Sequence, residues 1–334
     1  MLGGIALALA GAALANHLVA RRSERRHPPL GRVIAVAGIR LHVLEQGDPK
    51  GSPVVLLHGN GASVEDFTSS GLPAALAAAG HRVLVFDRPG FGHSERPGRG
   101  WNARAQARLI RQALRQLGLP RPVLVGHSWG CLVALAMALD QPKETGALVL
   151  LSGYFRPSLR LDVPLVALAA MPLLGGLLRY TISQPLGWLM GRWLIRQSFA
   201  PQPVSAEFET QFPLALAIRP SQFGASAADT ATMLPDALGL LRRAGTLDLP
   251  VQIVAGAADQ VLDTRYHSGH LHRRLAGSRL RIVPGAGHMI HHVAPHAVLD
   301  AVRDAAATAQ TACMPMSAPR HRPGAGGAVL WHDG

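Results

Sequence analysis

A serine between two glycines lies near the middle of this 334-residue chain, in the stretch Gly126-His127-Ser128-Trp129-Gly130. This G-x-S-x-G pattern follows the apolar run Pro122–Val125 and precedes the apolar run Cys131–Leu139, which predicts a strand, a tight turn and a helix. The flanking glycines let backbone segments approach where a Cβ atom would clash. The serine hydroxyl would then project from the edge of a sheet, close to the positive end of the helix dipole. We therefore predict that Ser128 is a nucleophile.

A serine nucleophile needs a base that takes its proton and an acid that orients the base. Two later apolar runs, Val251–Ala255 and Arg279–Val283, are typical of strands, and each is followed by a loop with a suitable side chain. Asp259 in the first loop is the predicted acid, with Asp263 as the alternative. His288 in the second loop is the predicted base. The chain order of serine, aspartate and histidine is the one expected with a G-x-S-x-G turn.

Both of these assignments have competing interpretations. An aspartate in such a loop is also typical of a turn or a helix cap. Three further histidines, His291, His292 and His296, lie close to His288 in the sequence. The position of His288 directly after a predicted strand favours it, because ligands and reacting groups gather at the carboxyl ends of parallel strands.

Acyl transfer also needs hydrogen-bond donors for the negative oxygen of its tetrahedral intermediate. The backbone N–H of Trp129, the residue after the serine, is one predicted donor. The second is the backbone N–H of Asn60, because the buried strand predicted at Val54–Leu57 ends in the bend His58-Gly59-Asn60-Gly61. An ordinary turn between a strand and a helix is the alternative interpretation of this bend.

The chain resembles serine enzymes of the α/β-hydrolase fold over roughly residues 31–305, in the segments His58–Gly61, Asp87–Ser94 and Gly126–Gly130 and at Asp259 and Gly287-His288. The resemblance implies a mainly parallel central sheet flanked by helices, with a helical lid at residues 153–235. It also implies that the Asp87–Ser94 loop shapes the site without supplying a triad member. Epoxide hydrolases and haloalkane dehalogenases of this fold carry an aspartate at the turn, so Ser128 argues against both activities. Cys131 stands where many members have a second glycine.

The predicted lid is rich in apolar residues and is cut into short helices by prolines and glycines. Its uncharged part, Val163–Leu178, is shorter than the roughly 20 residues of a membrane span, so a lid over the serine is the simpler interpretation. We predict an acyl or alkyl pocket lined by Trp188, Met190, Trp193 and Phe199. The alternative is that these side chains only attach the lid to the core.

These residues predict an enzyme that resembles a carboxylesterase or lipase and cleaves a small apolar ester through an acyl-enzyme. A carbon–carbon bond hydrolase and a cofactor-free perhydrolase are alternatives that use the same triad. A non-catalytic binding protein on this fold is the alternative from another class, although it would not need an intact triad. No cofactor is predicted, and no metal is predicted because C-x-x-C and H-E-x-x-H motifs are missing.

Composition restricts the partners of the chain. The formal net charge of +13 comes almost entirely from arginine, and aromatic residues make up only 5% of the chain. No arginine stripe alternates with aromatics, so we do not expect nucleic-acid binding. The two cysteines, Cys131 and Cys313, provide no disulfide framework. A hydrophobic content of 48% is typical of a chain with a large folded core.

The two ends of the chain differ from its centre. Residues 1–20 are almost wholly apolar and a basic linker follows at 21–31, which predicts a single N-terminal membrane anchor with lipid as a partner. The positive-inside rule then places the catalytic domain, residues 32–305, on the cytoplasmic side. A cleaved signal peptide and an amphipathic segment at the membrane surface are the alternatives. Residues 306–334, rich in Ser, Pro, Gly and Arg, are predicted to form a disordered tail.

The elements that must position the site follow from apolar runs. A hairpin is predicted from Arg32–Val36 and Leu41–Glu45, and a surface helix from Ala103–Leu117. Further strands are predicted at 54–57, 82–86, 122–125, 147–151, 251–255 and 279–283. Strands that alternate with helices in this way predict a mainly parallel sheet with helices on both faces.

Overall fold

A computed structural model describes residues 1–98, 100–158, 171 and 174–313 of the chain. One eight-stranded sheet organises it, with the spatial order β1-β2-β4-β3-β5-β6-β7-β8. β1 and β2 form an antiparallel hairpin, and β2 also pairs with β4 in the antiparallel direction. Every other pair of neighbouring strands in the sheet is parallel. The strands are β1 Arg32–Val36, β2 Ile39–Gln46, β3 Ser52–Leu57, β4 His81–Phe86, β5 Val123–His127, β6 Ala147–Leu151, β7 Val251–Gly256 and β8 Arg279–Val283.

The central strands are short, apolar and buried on both faces, as parallel strands covered by helices on either side must be. β5 and β6 are buried along their whole length. In the register of β3 and β5, Val54 lies opposite Val123 and Leu57 lies opposite Gly126. The loops that follow these two strands therefore leave the sheet side by side, at the edge where the serine lies.

Twelve α-helices are described, and two groups of them cover the sheet. α4 and α5 pack with α9 over one face, and α2, α3 and α12 pack over the other. The helices are α1 Leu2–Arg26, α2 Val64–Thr68, α3 Leu72–Ala78, α4 Ala103–Gln116, α5 Gly130–Asp140, α6 Leu174–Phe199, α7 Ala206–Gln211, α8 Leu214–Ala217, α9 Pro220–Ala244, α10 His270–Arg274, α11 Ile290–Val293 and α12 Pro295–Cys313.

The N-terminal segment corrects the prediction of a membrane anchor. Within the described ranges, no helix combines the length and the apolar character that crossing a bilayer requires. α1 instead runs through the basic segment to Arg26 and packs on α6, α8 and α9. The buried Asn16 donates from Nδ2 to the Tyr180 carbonyl at 2.7 Å, and Glu24 binds Arg219 at 3.0 Å. The predicted membrane localisation through an N-terminal anchor is therefore wrong, and the lipid partner predicted through that anchor is unsupported.

The predicted boundaries of the lid and the tail also shift. The described part of the lid contains α6, α7, α8 and the first part of α9, and α9 continues past the predicted end at 235 to Ala244. Residues 159–170 and 172–173 of the lid lie outside the described residues. α12 continues to Cys313, because its alanine-rich end keeps Ala305 and Ala306 packed on the sheet. The first part of the predicted tail is thus helical, and residues 314–334 lie outside the described part.

Candidate active site

Ser128 occupies the tight turn between β5 and α5 in a left-handed conformation, with a φ of +51°. That region is unfavourable for any residue with a side chain, and such strain is characteristic of functional turns. The neighbouring glycines make the turn feasible. A Cβ atom on Gly126 would lie 2.7 Å from the Gly130 carbonyl oxygen, and one on Gly130 would clash with the Leu57 carbonyl. The two glycines therefore permit the close approach of backbone, within the turn and to β3, that this position of the serine requires.

Asp259 and His288 meet at the ends of β7 and β8. The His288 Nδ1 atom lies 2.8 Å from Asp259 Oδ2. The other carboxylate oxygen, Oδ1, accepts the backbone N–H groups of Val261 and Leu262 at 2.8 and 2.9 Å. Burial raises the pKa of Asp259, but the histidine and these hydrogen bonds outweigh burial and bring the pKa below its usual value. The carboxylate is thus ionised and fixed in orientation. The alternative acid, Asp263, is exposed and caps a turn by accepting the Tyr266 N–H at 2.7 Å.

The serine and histidine loops are connected through His127. Its Nε2 atom lies 3.2 Å from the His288 carbonyl oxygen, and its ring centroid lies 5.0 Å from that of His288. Within the described part of the chain, no hydrogen bond joins Ser128 Oγ to His288. Such a bond is often long in an enzyme without substrate and shortens when the substrate binds. The structure therefore brings the three predicted catalytic residues to one edge without the serine–histidine bond.

The two predicted oxyanion donors border the serine. Gly59 lies so close that a Cβ atom placed on it would be 3.2 Å from Ser128 Cβ. Among the described residues, none accepts a hydrogen bond from the backbone N–H of Asn60 or of Trp129. The Asn60 side chain faces away, toward the lid, and donates to the Ser226 carbonyl at 3.2 Å and to Thr230 Oγ1 at 3.0 Å. Both backbone donors are thus free for an incoming oxygen.

The lid residues predicted from the sequence separate into two groups. Phe199 is buried against Phe208 and Met289, the residue that follows His288. Trp188, Met190 and Trp193 are 47%, 40% and 54% exposed on the surface of α6. Of these four side chains, the structure thus brings only Phe199 close to the loop that carries His288.

A buried arginine beside the serine was missed by the sequence reasoning. Arg88 is fully buried and forms an ion pair with Asp229 of α9 at 2.6 Å. Its guanidinium carbon lies 4.5 Å from the Trp129 ring centroid. The resemblance placed Arg88 in the Asp87–Ser94 loop that shapes the site, but gave this side chain no role of its own. Its partner lies 141 positions away, so the pairing itself left no local signal.

One group of described residues has the donor set of a metal site. Donor atoms of Asp66, His291 and His292 all lie within 4.8 Å of one another. In the structure the two imidazole Nε2 atoms lie 3.0 and 3.3 Å from Asp66 Oδ1. Burial raises the pKa of Asp66, but the histidines outweigh it and keep the pKa well below its usual value. The two rings can therefore both donate to Oδ1, while Asp66 Oδ2 is buried without a hydrogen-bond partner among the described residues.

Comparison with known proteins agrees with this architecture. The sequence pattern of the alpha/beta hydrolase fold family matches residues 52–295, and the chain belongs to this family. It is 37% identical to the 2-hydroxymuconate semialdehyde hydrolase of Pseudomonas putida over 133 residues, which are 39% of this chain and 45% of that protein. The chain therefore spans less than half the length of that relative.

Two further comparisons cover more of the chain. A protein of Variovorax paradoxus named for carbamate hydrolysis is 31% identical over 265 residues, which are 78% of this chain and 93% of that protein. The crystal structure of an α/β hydrolase fold protein from Burkholderia ambifaria covers 82% of this chain and 97% of its own, with 24% identity and a TM-score of 0.65. The structural likeness shows the fold, and the hydrolase relatives identify the protein as an enzyme of this family.

Proposed function

We propose that the enzyme is a serine hydrolase that cleaves esters of small apolar acids through an acyl-enzyme. The observation that carries this proposal is the strained Ser128 on its turn, at the same sheet edge as the Asp259–His288 pair with its 2.8 Å contact. An activated nucleophile, a base and an orienting carboxylate are the three parts that this chemistry needs.

In the proposed mechanism, Ser128 Oγ attacks the ester carbonyl while His288 Nε2 takes its proton. Asp259 holds the proton of His288 on Nδ1, so Nε2 presents a lone pair, and it stabilises the imidazolium that forms. The backbone N–H groups of Asn60 and Trp129 bind the oxygen as it becomes negative. His288 then protonates the leaving alcohol, and a water molecule repeats the sequence to release the acid.

The apolar substrate class rests on the surroundings of the catalytic histidine. The residue that follows it, Met289, packs with Phe199 and Phe208. The chain of contacts continues to Phe212, whose ring stacks on Phe208 with a centroid separation of 4.6 Å. An apolar cluster beside the histidine loop favours a hydrocarbon acyl group, because such a group gains from the apolar area that it removes from water.

A second candidate is hydrolysis of a carbon–carbon bond next to a ketone. It is favoured by the 37% identity to the 2-hydroxymuconate semialdehyde hydrolase of Pseudomonas putida. Because that match covers 39% of this chain, the ester remains our first proposal. The two reactions share the base and the oxyanion donors and differ in the group that leaves.

The experiment is a fluorophosphonate labelling assay combined with a panel of p-nitrophenyl esters of increasing acyl length and a ring-opened semialdehyde. Wild-type protein should label at one site and prefer a short or medium acyl chain. Ser128→Ala should not label and should lose about 10⁴- to 10⁶-fold in kcat, with its fold intact. Turnover of the semialdehyde but of no ester would replace the first candidate with the second. Normal ester turnover by folded Ser128→Ala would refute both.

A further inference from the structure

Arg88 holds the bend that follows β3 by its main chain. Its guanidinium donates to two consecutive carbonyl oxygens, with 2.8 Å from Nε to His58 O and 3.0 Å from Nη2 to Gly59 O. A planar guanidinium presents its donors in a fixed fork, so two such bonds fix both the position and the tilt of the segment. The bend is thus held from within the protein rather than by solvent.

The Gly59 carbonyl has a second donor in the His58 ring. His58 Nε2 accepts the backbone N–H of Arg88 at 3.0 Å, which leaves the ring proton on Nδ1. Nδ1 lies 2.8 Å from Gly59 O and therefore donates to it. Burial is the main cause that lowers the pKa of His58 to about 4, so the ring stays neutral and keeps this tautomer near pH 7.

These bonds determine the direction of the predicted oxyanion donor. The carbonyl of Gly59 and the N–H of Asn60 belong to the same peptide unit, and in a planar trans peptide they point in opposite directions. When Arg88 and His58 bind the oxygen on one side, the Asn60 N–H is directed to the other. An oxyanion donor that is oriented before the reaction needs no reorganisation during it.

Helix α9 of the lid contacts Arg88 and both residues that carry the predicted oxyanion donors. On one turn of α9, Asp229 binds Arg88 through its carboxylate and accepts the Trp129 indole N–H through its carbonyl oxygen at 3.1 Å. On the same turn, Ser226 and Thr230 accept the Asn60 side chain. A single turn of the lid therefore contacts both residues whose backbone N–H groups form the proposed oxyanion hole.

We propose that Arg88 is a positioning residue for the oxyanion hole, anchored by Asp229 of the lid. This proposal rests on the proposed serine-hydrolase function. Arg88 does not touch the substrate, and it acts through the peptide between Gly59 and Asn60. Its removal should therefore weaken binding of the transition state more than binding of the substrate.

The test compares three variants with wild type: Arg88→Met, Arg88→Lys and Arg96→Met. Arg96 also binds Asp229, at 2.7 Å, but within the described residues it makes no hydrogen bond to the bend, so Arg96→Met is the matched control. Turnover of p-nitrophenyl butyrate is measured per active site titrated with fluorophosphonate. Inhibition by a trifluoromethyl alkyl ketone, which forms an oxyanion adduct, is compared with inhibition by butyrate, which does not.

For Arg88→Met we expect kcat per titrated site to fall about 10- to 100-fold, somewhat less than the loss of a whole donor. KM and butyrate inhibition should stay within about threefold, because they report ground-state binding. The inhibition constant of the ketone should rise by the same factor as kcat falls. A purely structural role would reduce the number of titrated sites and leave these ratios unchanged.

If Arg88→Met does not fold, Arg88→Lys provides the same test. Lysine keeps a positive charge beside Asp229 but lacks the planar guanidinium that binds the two carbonyl oxygens. The kcat of Arg88→Lys per site should fall at least about tenfold. The proposal is overturned if folded Arg88 variants keep wild-type kcat per site, or if Arg96→Met loses as much kcat as they do. If wild type itself neither labels nor hydrolyses the ester, it is the proposed function that fails.

Discussion

Asp259→Asn is a sharp test of the catalytic arrangement, because the surrounding hydrogen bonds dictate how the new amide must lie. Carboxylate Oδ1 accepts two backbone N–H groups, from Val261 and Leu262. An asparagine must keep its carbonyl oxygen at that position, since an amide nitrogen there would face two donors. Its NH₂ group is then left 2.8 Å from His288 Nδ1.

This orientation of the asparagine amide would favour the tautomer of His288 that cannot act as a base toward Ser128. An NH₂ group donates, so His288 Nδ1 would have to accept, and the ring proton would move to Nε2. A protonated Nε2 cannot take the proton of Ser128. We expect kcat to fall about 10⁴-fold, the size associated with a triad histidine in the wrong tautomer, or about 5.5 kcal/mol of transition-state stabilisation.

The assay is kcat with p-nitrophenyl butyrate per folded molecule, together with urea unfolding. Because the exchange preserves shape and both backbone bonds, the free energy of unfolding should change by no more than about 1 to 2 kcal/mol. Asp263→Asn is the matched control in the same loop and should retain activity within about threefold. Turnover within tenfold of wild type in Asp259→Asn, with a damaged Asp263→Asn, would show that the acid has been misassigned.

Three further outcomes follow from the geometry. Asn60→Ala keeps the backbone donor but loses two hydrogen bonds to α9. The decrease in kcat should therefore be much smaller than the roughly 10²-fold decrease expected for a deleted donor, while the midpoint of urea unfolding also decreases. Gly130→Ala should unfold at markedly lower urea concentration than wild type, because its Cβ would meet the Leu57 and His58 carbonyls. The pKa of His58 is lowered to about 4 in the folded chain. As the pH falls, the imidazole of His58 therefore becomes protonated in the unfolded chain at a higher pH than in the folded chain. The free energy of unfolding should then decrease between pH 6.5 and 4 by about 1.4 kcal/mol per pH unit for this group. Urea titrations at a series of pH values measure the total slope, to which other histidines with a lowered pKa such as His267 add in the same direction, so a flat profile would contradict the neutral His58.

The sheet and the turn at Ser128 were predictable because their signals are local. Apolar runs such as Ala147–Leu151 must be buried on both faces, and the glycines around Ser128 answer a clash between atoms a few residues apart or on the neighbouring strand. The pairing of Asp259 with His288 was predictable for a related reason, because each follows a parallel strand at the same edge. The predicted α/β-hydrolase fold family is confirmed by the match over residues 52–295, and its serine branch stays a prediction.

The remaining features depend on partners that are distant in the chain. An apolar run at residues 2–15 has the same composition whether it faces lipid or a lid, and the contact between Asn16 and Tyr180 that decides the matter spans 164 positions. The pocket predicted at Trp188 and Trp193 failed for the same reason, since both side chains are exposed. An aromatic residue in a helix does not by itself show which face of that helix packs against the rest of the protein. The ion pair of Arg88 with Asp229 could not be predicted for the same reason, because 141 positions separate the two residues.

The packing of α1 has a mechanical consequence for the lid. The lid is tied on its outer side by the contact of Glu24 with Arg219 and on its inner side by Asp229 with Arg88. A rigid swing of α9 would break both ion pairs together, and the inner one is fully buried, where separation of two charges is costly. The segment after α6 is held as well, because a Cβ atom on Gly287 would clash with the carbonyl oxygen of Ala200. The lid is therefore braced from both sides, and α9 joins the N-terminal helix to the two residues that carry the proposed oxyanion donors.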